Sequence, residues 1–164
     1  MINILNKKLT IYIILVLIVI IGTFLRFYQL GINPPSIDWD EASIGYNAYS
    51  ILKTGADEYG NKFPLSIRSF DDYKPALYVY LAIIPIFLFG LNEFAVRFPA
   101  AIFGLFTVIA VCFLTREILP KPASLITAFF FAISPWHLQF SRAAFEGNIG
   151  LFFFIAGLLF FFRA

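Results

Sequence analysis

Apolar positions in this chain come in long runs rather than in alternating or helical stripes. Residues 9–24 form an uninterrupted apolar stretch that Thr10 and Gly22 barely dilute, and further runs cover residues 76–91, 98–115, 123–140 and 149–162. A helix needs about 20 such residues to cross a bilayer. The first run is long, and bulky residues rather than an Ala-x-Ala-like site follow it, so it reads as an uncleaved spanning helix and not as a secretory signal. The run 76–91 is different: at 1.5 Å per residue it covers roughly 24 Å, short of a hydrocarbon core of about 30 Å, and Pro85 interrupts its hydrogen-bond ladder. It is expected to lie in the interface as a juxtamembrane or re-entrant helix, with Tyr78 and Tyr80 at headgroup level.

The charges between the runs orient the chain. Lys7 and Lys8 precede the first helix, which places the N-terminus in the cytoplasm. If four runs cross and 76–91 does not, Arg116, Lys121 and Arg163 also fall on the cytoplasmic side, as the charge rule prefers. Residues 29–95 then form one long external loop, on the same outer face as "HLQFSRAAFEGN" with Arg142 and Glu146. The expected protein is all-α and integral to the membrane, a single membrane domain over residues 1–164 with about four transmembrane helices.

The external loop holds the most polar stretch, "SIDWDEASIGYNAYSILKTG". A helix is predicted from near Asp40 to Gly55, with Ile44, Ala48, Ile51 and Leu52 on one face. "DWDE" has the form of a capping box with Asp38 at the N-cap, which by itself accounts for acids at this position. "GADEYGNKFPLSIRSFDDY" has the composition of a loop, and a second helix is predicted after Lys74-Pro75, where proline suits a helix start. Arg142 and Glu146 stand four apart, as in an ordinary helical salt bridge.

Composition narrows the class. Hydrophobic residues make up 60% of the chain and charged ones only 13%, which excludes a soluble domain, and a net charge of +2 is too small for nucleic acid. The single cysteine, Cys112, lies in an apolar run, so there is neither a disulfide framework nor a cysteine-based zinc site. The single histidine, His137 beside Trp136, reads as an interfacial side chain. Phosphate-loop patterns for nucleotides are absent.

Three polar elements, the acidic pair Asp40/Glu41, Lys74-Pro75 and the Ser-Arg-x-x-x-Glu of 141–146, each sit where a membrane helix meets the outer surface. "DWDEASIGYNAYSILKTG", "YKPALYVYLAIIPIFLFGLNEFAVRFPAAIFG", "TREIL" and "SPWHLQFSRAAFEGN" occur in an order that resembles the N-terminal part of the GT-C fold glycosyltransferases that use polyprenyl-phosphate sugars, the broad family of protein O-mannosyltransferases and lipid A aminoarabinose transferases. The resemblance implies a long first external loop with two juxtamembrane helices. It implies a membrane enzyme of the cell envelope that moves a sugar from a polyprenyl-phosphate donor to a hydroxyl of a protein, glycan or lipid acceptor, with inversion.

By the same resemblance Asp40 is the general base, supported by Glu41, which orders the loop. Lys74 contacts the lipid phosphate, and Glu146 matches a second acidic position that serves metal or acceptor. Arg97 and Arg142 are further candidates for phosphate contacts. The cofactor is not fixed: a divalent metal at Glu146 stays open, and Tyr73 stands where some relatives carry an acid, which counts against metal there. Members of the family are several times longer, so the chain is expected to be the N-terminal portion of such an enzyme, carrying its catalytic front end but inactive alone. The competing expectation is a non-catalytic multi-pass protein that binds lipid or scaffolds partners, with the acids as caps and the basic residues as headgroup contacts. A transporter half is less consistent, since the charges cluster at helix ends rather than inside the helices.

Overall fold

The computed structural model describes residues 2–164, with side chains from Leu9 onward; Lys7 and Lys8 thus lie outside the described side chains. The architecture is helical, with one small hairpin. In chain order it runs α1 (Ile2–Phe27), α2 (Trp39–Thr54), β1 (Ser66–Ser69), β2 (Asp72–Pro75), α3 (Leu77–Phe89), α4 (Glu93–Ile118), α5 (Lys121–Ile133), α6 (Pro135–Arg142) and α7 (Glu146–Arg163).

Among the described residues, three helices are long and apolar enough to cross a membrane: α1 over Leu9–Phe27, α4 and α7. The run 123–140, expected as one span, is broken: α5 and α6 meet at Ser134 with a bend of 55°. Pro135 cannot donate into the α5 ladder and starts a new helix at its first position. The short run becomes α3, a helix with Pro85 inside it and Gly90 in positive φ beyond its end.

α4 is the hub, touching α1, α3, α5, α6 and α7. Toward one end, Ile18 of α1, Val108 and Cys112 of α4 and Leu125, Ala128 and Ala132 of α5 form one apolar cluster. Toward the other, Ile44, Ala48 and Ile51 of α2 pack on Ile67, on Val79 and Ala82 of α3, on Ala95 and Ala100 of α4 and on Ile149 of α7. The outward faces of α1 and α7 are bare apolar surface, including Leu17, Ile20, Phe24, Phe153, Phe154 and Phe160, which only lipid or further protein would cover.

The charged residues sort to the two ends of this bundle. Arg163 at the end of α7 donates to Glu117 at the end of α4 at 2.7 Å, and Lys121 opens α5 just beyond. Arg116, Lys121 and Arg163 therefore share one end, as the charge pattern requires, while the ends of α1 and α5 and the starts of α4 and α7 meet at the other, where α2 and the hairpin pack.

α2 carries the capping box read from "DWDE". The Asp38 side chain accepts from Trp39 N at 2.8 Å, and Asp38 N donates to Glu41 Oε2 at 3.1 Å. Gly55 closes the helix in the left-handed region at φ 74°. The stretch read as loop instead contains an antiparallel hairpin, with Ser66 opposite Pro75 and Ser69 opposite Asp72. Lys74-Pro75 accordingly ends a strand and does not begin α3.

Two expected interfacial side chains are corrected. Tyr78 is 1% exposed, and its hydroxyl enters the α4 ladder, donating to Val96 O at 3.0 Å and accepting from Ala100 N at 3.2 Å. Pro99 disturbs that turn, which gives an inserted hydroxyl its place. His137 is fully buried, and its Nδ1 lies 2.7 Å from a guanidinium nitrogen of Arg26, itself fully buried, which also donates to Gly22 O and Ala132 O. Accepting at Nδ1 leaves the proton of a neutral ring on Nε2.

Candidate active site

Asp40 lies in the first turn of α2, where the capping box fixes the backbone, and its carboxylate pairs with the ammonium of Lys74 at the end of β2. The same ammonium is 4.0 Å from Glu146 Oε1 in the first turn of α7. One cation thus stands between two carboxylates delivered by different elements. Lys74 is 8% exposed, while the Asp40 side chain keeps a third of its surface open, so the site presents a carboxylate to solvent with its counter-charge beneath. Beside the trio an apolar groove of about 290 Å³ runs between α3 and α7, lined by Leu77, Tyr78, Glu146, Ile149 and Phe153.

Glu41 faces the other way. It is 4% exposed, and Arg97 grips it with Nε to Oε1 and a terminal nitrogen to Oε2, both at 2.9 Å; Ala144 N adds a bond to Oε1 at 2.8 Å. Burial alone pushes this carboxyl up, but the Arg97 hydrogen bond and the backbone N–H groups of Ala144 and Asp38 outweigh it and hold Glu41 below the usual carboxylate range. Glu41 is the bolt joining α2, α4 and the α6–α7 junction, and it sits behind Asp40.

The two arginines expected at a phosphate are engaged elsewhere. Arg97 spends its remaining donors on the carbonyls of Leu30, Pro34 and Ser36, so all five of its N–H groups are used. Arg142 donates to the carbonyls of Leu25, Arg26, Tyr28, Gln29 and Asn33, a cation placed on the orphan carbonyls at the end of α1. The 28–36 segment is thereby stapled from α4 and from α6. The spacing of Arg142 and Glu146 does not give a helical ion pair, because the chain leaves the helix between α6 and α7.

Asp40, Lys74 and Glu146 are brought together, then, while Glu41, Arg97 and Arg142 build the frame around them. Among the described residues no three of His, Cys, Asp and Glu gather to hold a metal ion. The cation shared by Asp40 and Glu146 is the Lys74 ammonium itself. Sequence reasoning missed the framing role of Arg26, and it missed Asn47, a buried amide in α2 treated below.

Residues 73–164 match the family of dolichyl-phosphate-mannose-protein mannosyltransferases. The chain belongs to that family. The match begins at Tyr73 and so contains Lys74, Arg97, Arg142 and Glu146, while Asp40 and Glu41 precede it. No curated protein and no solved structure matches the chain. The mannosyltransferase family and the three long apolar helices together make this a multi-pass membrane protein of the GT-C glycosyltransferase type.

Proposed function

We propose that the protein transfers a sugar from a polyprenyl-phosphate donor to an acceptor hydroxyl at the outer face of the cell membrane. The observation that carries this reading is the buried Lys74 ammonium, shared by Asp40 and Glu146 at the mouth of an apolar groove. A lipid phosphate needs a cation for its headgroup and a hydrophobic path for its chain, and these two features lie side by side.

The same arrangement supplies a sequence of events. Donor phosphate at Lys74 competes for the ammonium and releases Asp40, whose carboxylate becomes a free base only once donor is present. Asp40 takes the proton of the acceptor hydroxyl; the acceptor oxygen bonds to the anomeric carbon from the back side; the bond from that carbon to the phosphate oxygen breaks. The electron pair leaves on the polyprenyl phosphate, where Lys74 offsets it. One displacement with no covalent intermediate inverts the anomeric centre. Glu146 keeps the second carboxylate near the ammonium and orients it.

Lys74→Ala is expected to weaken use of a radiolabelled polyprenyl-phosphate mannose by about tenfold or more, and Lys74→Arg by less, since either cation meets a phosphate and alanine leaves it unpaired. Equal donor KM in Lys74→Ala and the unmodified protein would return Lys74 to a purely structural ion pair.

The orientation is proposed with the N-terminus in the cytoplasm. A cysteine placed at Asn61 and one at Asn92 should both react with a membrane-impermeant thiol reagent added outside, and one at Lys121 should not. Outside labelling at Lys121 would reverse the assignment of the two ends.

A further inference from the structure

One turn along α2 from Asp40 there is a second, chemically different cleft. It holds about 230 Å³ and is lined by Ser43, Tyr46, Glu58, Tyr59 and Phe70, residues from α2, the loop after it and the hairpin turn. Its walls are three aromatic rings that stand in solvent: Tyr46, Tyr59 and Phe70 are each about half exposed or more. Isolated exposed aromatics need no explanation, but three converging on one carboxylate are not a scatter.

That carboxylate is held in place. Asn47, fully buried, donates through Nδ2 to Glu58 Oε1 at 2.9 Å and accepts from Glu58 N at 3.1 Å through Oδ1. A buried amide thus clamps both the backbone and the side chain of an exposed acid, and Oε2 of Glu58 has no partner among the described residues. Across the Tyr59 ring stands Arg68, its guanidinium 5.1 Å from the ring centroid. The cleft therefore offers aromatic faces and an aimed acceptor in Glu58, with the Tyr59 ring backed by Arg68.

We propose that this cleft binds a sugar ring, and that the acceptor is a carbohydrate which offers one of its hydroxyls to Asp40. The inference rests on the transferase reading above and names its acceptor class. A pyranose has an apolar face of C–H groups that stacks on aromatic rings, and a rim of hydroxyls that both donate and accept. The Glu58 carboxylate accepts from the donors on that rim. A cationic side chain suits the site less well, because Arg68 already occupies the Tyr59 face that it would need. The volume is below the roughly 300 Å³ at which drug-sized sites begin, as one ring requires. Position completes the argument: Asp40, Ser43 and Asn47 fall on one face of α2, and three residues advance a helix by about 4.5 Å, close to the width of a sugar ring.

The test is binding rather than turnover. The purified chain in nanodiscs is titrated with methyl hexopyranosides and short oligosaccharides, followed by saturation-transfer NMR, with a Ser/Thr-containing hexapeptide as comparison. Saturable saccharide binding is expected, reduced about tenfold or more in Tyr59→Ala and in Glu58→Gln, and retained in Tyr59→Trp, which keeps a ring. Near-UV circular dichroism of each variant separates lost binding from lost fold. No saccharide binding by the unmodified chain, or binding indifferent to Tyr59→Ala and Glu58→Gln, overturns the proposal. So does hexapeptide binding that those two substitutions abolish, since the cleft would then be a polypeptide site. If saccharides fail to bind while Lys74→Ala still impairs donor use, the cleft is wrong and the transferase reading stands. If saccharides bind as expected while Lys74→Ala leaves donor use intact, the reverse holds.

Discussion

Replacing Asp40 by asparagine is expected to lower turnover by at least about 10²-fold while the protein stays folded and binds donor nearly as before. A positioned general base contributes typically about 10² to 10⁴ in rate. Asparagine has almost the same shape and still accepts a hydrogen bond from Lys74, but it does not take the acceptor's proton. A purely structural Asp40 predicts the opposite. The helix cap is Asp38, reinforced by Glu41, so α2 does not depend on Asp40 for its start, and asparagine would cost neither stability nor activity. Donor binding and turnover measured separately on the same preparation decide between these outcomes. Near-normal transfer by Asp40→Asn would remove it from the mechanism and make Glu146, on the other side of the same ammonium, the next base to test.

The largest effect on stability is expected at Arg97. Arg97→Ala deletes five hydrogen bonds at once and leaves the buried Glu41 carboxylate without a counter-charge, a situation that costs about 3–5 kcal/mol. Thermal unfolding in detergent, or proteolysis of the 28–36 segment that Arg97 staples, measures the loss. Glu41→Gln is expected to be milder, because its amide oxygen still accepts from Arg97 or Ala144, and its turnover per folded molecule should fall far less than that of Asp40→Asn. The pH dependence carries a sign. Glu41 ionises more readily in the folded protein than in the unfolded chain, so its contribution is complete above the ordinary carboxylate value of 4.5 and is lost as pH falls through the lower folded value. Removing Glu41 should therefore flatten the acid limb of the stability curve and leave the alkaline limb alone. Wild-type stability in Arg97→Ala would mean that solvent or lipid replaces what the guanidinium does.

How much could be read beforehand followed from the range of the interactions. Apolar length marked α1, α4 and α7, and the local chemistry of Asp38, Glu41 and Gly55 marked both ends of α2, because caps are decided within a few residues. The hairpin escaped: its strands are four residues each, and its turn places Phe70 at φ 54°, where a glycine or asparagine would have signalled it. Pro135 was visible but lay inside a run whose apolar continuity suggested a single span. At the site, the residue types that gather were legible, since Asp40, Lys74 and Glu146 each carried a motif. Their shared ammonium was not, because the three meet only when α2, β2 and α7 converge. The framing contacts of Arg97 and Arg142 were hidden for a related reason. Their true partners are mostly backbone carbonyls, which every residue possesses and no sequence pattern advertises.

The Tyr78 hydroxyl lodged between Val96 O and Ala100 N acts as a hinge pin. A proline in a helix ordinarily leaves the turn before it free to flex, and here that joint is threaded by a side chain from α3. Any bending of α4 at this level must therefore drag α3 along, and with it the strand end that carries Lys74. Glu41, bolted to Arg97 in the same turn of α4, makes α2 and Asp40 follow the same swing. The helix that carries Asp40 and the strand end that carries Lys74 are thus fastened to one and the same turn of α4, which fixes where in the bundle the two side chains meet.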